Sequence, residues 1–207
     1  MQQNKNNTLQ EVRKAYRLLF QYQTRVLDLI DFIGSSFNYE YNGGFPKFSN
    51  SSPNKGKGNL NAWAWDWLNM YFYEFSFTHK EDKIKFSIFL VNDTGYFKKV
   101  KKNRENKENL ISKTKISAFE NIEESETKLI FVIGKNTWKP WGNDWHDDEF
   151  ILNEQGNKVL RDEVMLFKSY LLEDFFDEAD AIEKLRDFQI YCNGFGVEFK
   201  YQERKIK

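Results

Sequence analysis

Tyr71-Phe72-Tyr73-Glu74-Phe75-Ser76-Phe77, then Lys80-Glu81-Asp82-Lys83, then Ile84-Lys85-Phe86-Ser87-Ile88-Phe89-Leu90 is the stretch that decides the fold. Tyr71, Tyr73, Phe75 and Phe77 recur at every second position, as do Ile84, Phe86, Ile88 and Leu90. A period of two puts each set on one face of a pleated strand. The charged quartet between them is a polar turn, so the stretch predicts an antiparallel hairpin. The face carrying Ile84, Phe86 and Ile88 is the more apolar of the two. The other face still carries Phe72, Phe89 and Val91, and leaving it open would permit a dimer.

Further strands follow. Leu129 to Ile133 is a continuous apolar run, and Val164 to Leu172 reads as another strand. Phe150-Ile151-Leu152 reads as a short strand closed by a turn at Glu154-Gln155-Gly156-Asn157. Val197, Phe199 and Tyr201 alternate as an edge strand would.

Helical signals bracket these strands. Thr8-Leu9-Gln10-Glu11 has the form of a capping box. Val12, Tyr16, Leu19, Val26, Ile30 and Ile33 then form an apolar stripe, with Arg13, Arg17, Arg25 and Asp28 largely between them. This predicts an amphipathic helix over 9–33, stopped by Gly34, after a polar tail at 1–7. Asp177 is the expected N-cap of a second helix. Glu178 and Asp180 suit its dipole, and Asn193-Gly194 ends it.

The strands are joined by tight turns or by loops without a crossover helix. The reading is therefore a single α+β domain over 1–207. An antiparallel sheet of about four to six strands carries an N-terminal and a C-terminal helix on one face. Three stretches read as irregular. Residues 37–59 are rich in Asn, Gly, Ser and Pro, with 49–59 the exposed part. Residues 98–126 are polar throughout. Trp63, Trp65 and Trp67 alternate, which suits either a strand or a short helix.

The chain has 31 basic and 31 acidic residues and is 17% aromatic. So aromatic a chain is not a disordered tail. Balanced charge argues against a surface that grips nucleic acid everywhere. Cys192 is the only cysteine, so no intramolecular disulfide is expected. No apolar h-region follows the polar start, and no run of about 18 apolar residues spans a membrane. A cytoplasmic protein is the expectation. Abundant Lys and Asn with scarce Pro suggest a bacterial or phage source.

The loop Gly134 to Glu149 holds the principal candidates. Trp138, Trp141 and Trp145 stand among Gly and Pro, followed by His146-Asp147-Asp148-Glu149. Tryptophans so placed form either a satellite core or anchors for a partner. The expectation carried forward is a protein-binding module of inhibitor, immunity or adaptor type. Trp138, Trp141 and Trp145 would be its anchors, and Asp147, Asp148 and Glu149 its charged rim.

Two alternatives stand beside it. A metal-dependent hydrolase or nuclease would use His146, Asp147 and Glu149, although neighbours on an extended chain point to opposite faces. A nucleic-acid binder would use segment 98–107. That segment carries Lys98, Lys99, Lys101, Lys102, Arg104 and Lys107, and with Glu105 and Glu108 its local excess is four positive charges. Residues 173–187 are the opposite pole, with seven carboxylates against Lys184 and Arg186.

Nucleophile and phosphate motifs are absent: no G-x-S-x-G, no G-x-G-x-x-G and no G-x-x-x-x-G-K-[ST]. Cys192 falls near a helix C-terminus, where the dipole disfavours a thiolate. No catalytic residue and no cofactor is expected. The expected partner is another protein.

Overall fold

The computed structural model describes residues 2–49, 64–68, 70–79, 83–138 and 148–202. It is an α+β fold built on one six-stranded, wholly antiparallel sheet. The strands are β1 (Glu40–Pro46), β2 (Phe72–Thr78), β3 (Ile84–Val91), β4 (Lys128–Lys135), β5 (Gln155–Leu160) and β6 (Glu163–Leu171). Their order is β1-β2-β3-β4-β6-β5. Four helices accompany them: α1 (Gln2–Ser36), α2 (Gly95–Glu105), α3 (Asp148–Leu152) and α4 (Glu178–Gly194).

The hairpin forms as its alternation requires, with Phe75 opposite Ile88 and Phe77 opposite Phe86. Its first face joins Phe131, Ile133 and Leu166 under two helices. The second half of α1 contributes Val26, Ile30 and Ile33, and α4 contributes Ala181, Leu185, Phe188 and Cys192. Phe86 is the hub. Its ring lies within 5.0–6.3 Å of the rings of Phe37, Tyr39, Phe77, Phe131, Phe188 and Phe199. Each fully buried side chain of this size contributes roughly 1.5–3 kcal/mol.

The second face is not left open for a dimer. Phe72, Phe89, Val91, Ile130, Val132, Met165 and Phe167 lie beneath Phe97 of α2, Phe150 and Ile151 of α3, and Phe48 and Trp65. The chain covers its own second face with α2, α3 and the 3₁₀ turn Ala64–Trp67. That turn answers the helix-or-strand question for Trp65 and Trp67; Trp63 lies outside the described residues. Trp65 is buried and donates its indole N–H to the Lys113 carbonyl at 2.7 Å.

Several expectations are corrected. The polar opening residues are helix from Gln2, so Thr8 lies inside α1 rather than capping it. Residues 40–46, read as loop, are strand β1. Its Gly43 sits at φ 109° within a register shift between Tyr41 and Gly44, a bulge that needs a residue without Cβ. Residues 49–59 fall outside the described residues, except Ser49. Segment 98–126 is not irregular throughout, because α2 covers 95–105 and buries Phe97 and Val100 one turn apart. Phe150-Ile151-Leu152 is helix, not strand. The supposed turn at 154–157 opens β5, an edge strand held by backbone pairing to β6. Val197 and Phe199 are buried but pair in no strand. Their segment runs back to α1, where Gln202 donates its N–H to the Ser36 carbonyl at 2.8 Å.

Asp177 caps α4 as its sequence requires, accepting from the N–H of Ala179 at 2.8 Å. No helix among the described residues is long and apolar enough to cross a membrane.

Candidate docking surface

The first site to examine is the tryptophan loop. Trp138 is half-buried and packs against the second-face core. Its ring lies over Gly134, where an added Cβ would come within 2.8 Å of it. That ring therefore serves the chain's own packing. Trp141, Trp145, His146 and Asp147 lie outside the described residues. Asp148 and Glu149 open α3, and only their backbone is described. Among the described residues no three His, Cys, Asp or Glu side chains group as a metal site.

The basic run of α2 is partly matched within the chain. Lys98 lies 3.0 Å from Glu126 and Lys102 lies 3.5 Å from Glu120. Burial pushes the Glu126 carboxyl up. Hydrogen bonds and charge from Lys98 and Lys128 outweigh that push and hold it below its ordinary value.

Two polar clusters are also closed within the chain. On the second face of the sheet, Lys47 pairs with Glu74 at 2.6 Å, both almost fully buried. Ser87 donates to the other Glu74 oxygen at 2.8 Å. Burial pushes the Lys47 ammonium down, and Glu74 pulls it back up. A buried pair so satisfied fixes the register of β1 against β2 rather than leaving a reactive group. The second cluster lines a cleft of about 460 Å³ beside the end of β6. There Lys168 lies 2.6 Å from Asp187, and the Tyr170 hydroxyl donates to Asp187 at 2.7 Å. Burial, then Asp187, drives the Tyr170 phenol far upward. Cys192 is buried, and burial drives its thiol up as well, so it is no nucleophile.

Among the described residues, the first half of α1 carries a long exposed apolar run. Every residue from 7 to 21 is exposed. The apolar stripe that buries Val26, Ile30 and Ile33 in the core continues at the same spacing through Leu9, Val12, Tyr16 and Leu19, which are exposed. Phe20 borders it, while Leu18 faces the groove described below. Tyr16 is 73% and Phe20 74% exposed. Isolated exposed apolar residues are ordinary; five along one side of a helix make a candidate interaction surface.

The stripe ends in a groove of about 500 Å³ between α1 and the 3₁₀ turn Leu172–Phe175. Leu18, Tyr22, Val26 and Leu29 form one wall, and Leu172, Phe175 and Phe176 the other. Tyr22 marks where the helix meets the body. Its hydroxyl donates to the Asn92 side chain, and burial raises its pKa to about 12.

The sequence shows the stripe but assigns all of it to the core. Only the tertiary structure separates the covered half from the free half.

Fold and surface together define an antiparallel α+β protein with a helix projecting from its core. The chain belongs to the PM0109 family, whose model matches residues 2–194. The projecting half of α1 lies within that matched span. No curated protein and no solved structure matches the chain.

Proposed function

We propose that this protein is a protein-binding module that docks on a partner through the free half of α1. The single observation that carries the reading is the uncovered apolar stripe over residues 9–20. An isolated amphipathic helix is marginal in water, and most helical stability comes from packing its apolar face. A free stripe of this length gains that packing when a partner closes over it, as in helix-in-groove recognition. Tyr16 and Phe20 are the anchors of this reading, since large aromatic rings dominate interface energetics.

Trp141, Trp145, Asp147, Asp148 and Glu149 stand as a second, loop-borne part of the same proposal, on the hot-spot chemistry of tryptophan. A reducing cytoplasm suits a chain whose lone thiol is buried. The nucleic-acid alternative loses support, because Glu120 and Glu126 already engage Lys102 and Lys98. No observation favours a metal-dependent hydrolase over docking.

The test is affinity capture from lysate of the source organism with three baits. A Tyr16→Glu, Phe20→Glu chain should lose a stoichiometric partner that the wild type retains, with its melting temperature unchanged. A Trp141→Ala, Trp145→Ala bait tests the loop separately. Retention of the partner by the α1 variant would sink the helix reading.

A further inference from the structure

The free half of α1 and the acidic shelf beside it complement each other, and the geometry points to a second copy of this chain as the occupant. This inference rests on the docking reading above and names its partner.

Residues 7–25 carry Arg13, Lys14, Arg17 and Arg25 against Glu11, an excess of three positive charges. Lys14 already pairs with Glu11 at 2.8 Å, and Arg13 and Arg17 are exposed on the free half. Across the groove, residues 173–187 carry an excess of five negative charges. Glu173, Asp177, Glu178, Asp180 and Glu183 of that shelf are all exposed. Phe176 stands among them at 80% exposure.

Each chain thus presents a basic apolar arm, and an acidic shelf whose apolar knob, Phe176, lines the groove at the base of that arm. A two-fold axis placed between two copies satisfies both at once, arm on shelf and shelf on arm. That is the requirement of an isologous interface. The same arrangement makes a parallel arm-on-arm pairing unfavourable, since it would set Arg13 and Arg17 against their own kind.

Length and area agree. Fifteen helical residues span about 22 Å, and a largely helical shelf of similar length offers a track of about the same reach. Tyr16, Phe20 and Phe176 are each at least 73% exposed. Aromatic side chains bury roughly 150–250 Å² apiece, so these three can supply more than half of the about 800 Å² that one partner contributes to a stable interface. Leu9, Val12, Leu18 and Leu19 add to it from the same arm.

The experiment is sedimentation equilibrium of the full chain over about 1–100 µM, a range that spans micromolar affinities. The wild type should form a reversible dimer that weakens as salt rises, because exposed charge pairs are screened. An Arg13→Glu, Arg17→Glu chain and a Glu173→Lys, Glu178→Lys, Glu183→Lys chain, which reverse the sign of arm and shelf respectively, should each be folded and monomeric. Each then repels itself at both contacts. Mixed in equal amounts, the two should form a heterodimer, because acidic arm meets basic shelf and basic arm meets acidic shelf.

A wild type that stays monomeric across the range overturns the inference. So does either variant remaining dimeric, or a mixture that fails to associate. A monomeric wild type that still loses a captured partner on Tyr16→Glu, Phe20→Glu substitution would leave the docking reading standing with a different occupant.

Discussion

The two halves of α1 share one stripe and one period, yet they live in different solvents. Val26, Ile30 and Ile33 lie against the sheet and are at most 3% exposed. Leu9, Val12, Tyr16 and Leu19 continue the stripe at 41–73% exposure. Nothing in the local chemistry separates them. The difference is that the first-face core packs against one half and not against the other. An apolar face draws stability only from what covers it, so one half is core and the other is free to serve as an interface.

The largest expected effect tests that division directly. Ile33→Ala should cost about 2–5 kcal/mol in urea unfolding, as truncation of a buried aliphatic does. Leu19→Ala, chemically similar and on the same stripe, should stay within about 0.5 kcal/mol in the monomer. Equal losses would break the comparison by showing that the outer half is covered.

A smaller effect should mark the boundary between the halves. Tyr22→Phe removes the hydroxyl that donates to Asn92 and should cost about 0.5–1.5 kcal/mol. The same phenol should titrate near 12 by ultraviolet absorbance. Its folded pKa is raised, so its contribution is intact below pH 10. That contribution is lost as pH rises through about 12. A normal titration near 10 would place Tyr22 with the free half.

The smallest effect contrasts the two basic segments. Beside α2, Glu126 bridges Lys98 of that helix and Lys128 of β4, and its pKa is held down. Glu126→Gln should therefore destabilise slightly at neutral pH, and the difference should vanish as pH falls through the carboxylate range. Glu11→Gln removes the exposed pair with Lys14 at 2.8 Å and should change stability by less than about 0.5 kcal/mol in urea unfolding. A larger loss would mean that the basic charges of α1 are as engaged as those of α2.

How much was legible in the sequence follows from what each element depends on. The β2–β3 hairpin carries its own apolar period, β4 is an unbroken apolar run, and α4 carries its cap at Asp177, so local pattern reveals them. Strand β1 is disguised by the bulge at Gly43, which reads as a loop. Strand β5 buries no side chain fully and exists because β6 offers it a backbone edge. Helix α2 has two buried apolar side chains among its lysines, too few to show a period. The short strand expected at Phe150 is a helix, since a three-residue apolar run carries no periodicity at all.

The candidate site divides in the same way. The stripe of α1 and the two charge poles are present in the sequence. That the stripe outruns the core, and that the acidic shelf lies across a groove from the basic arm, depends on contacts between residues some 150 positions apart. Local sequence determines period, caps and charge, because those are set by neighbours on the chain. What is covered, and therefore what is free to bind, is decided by the tertiary structure, because burial depends on the whole surface that folds over a residue.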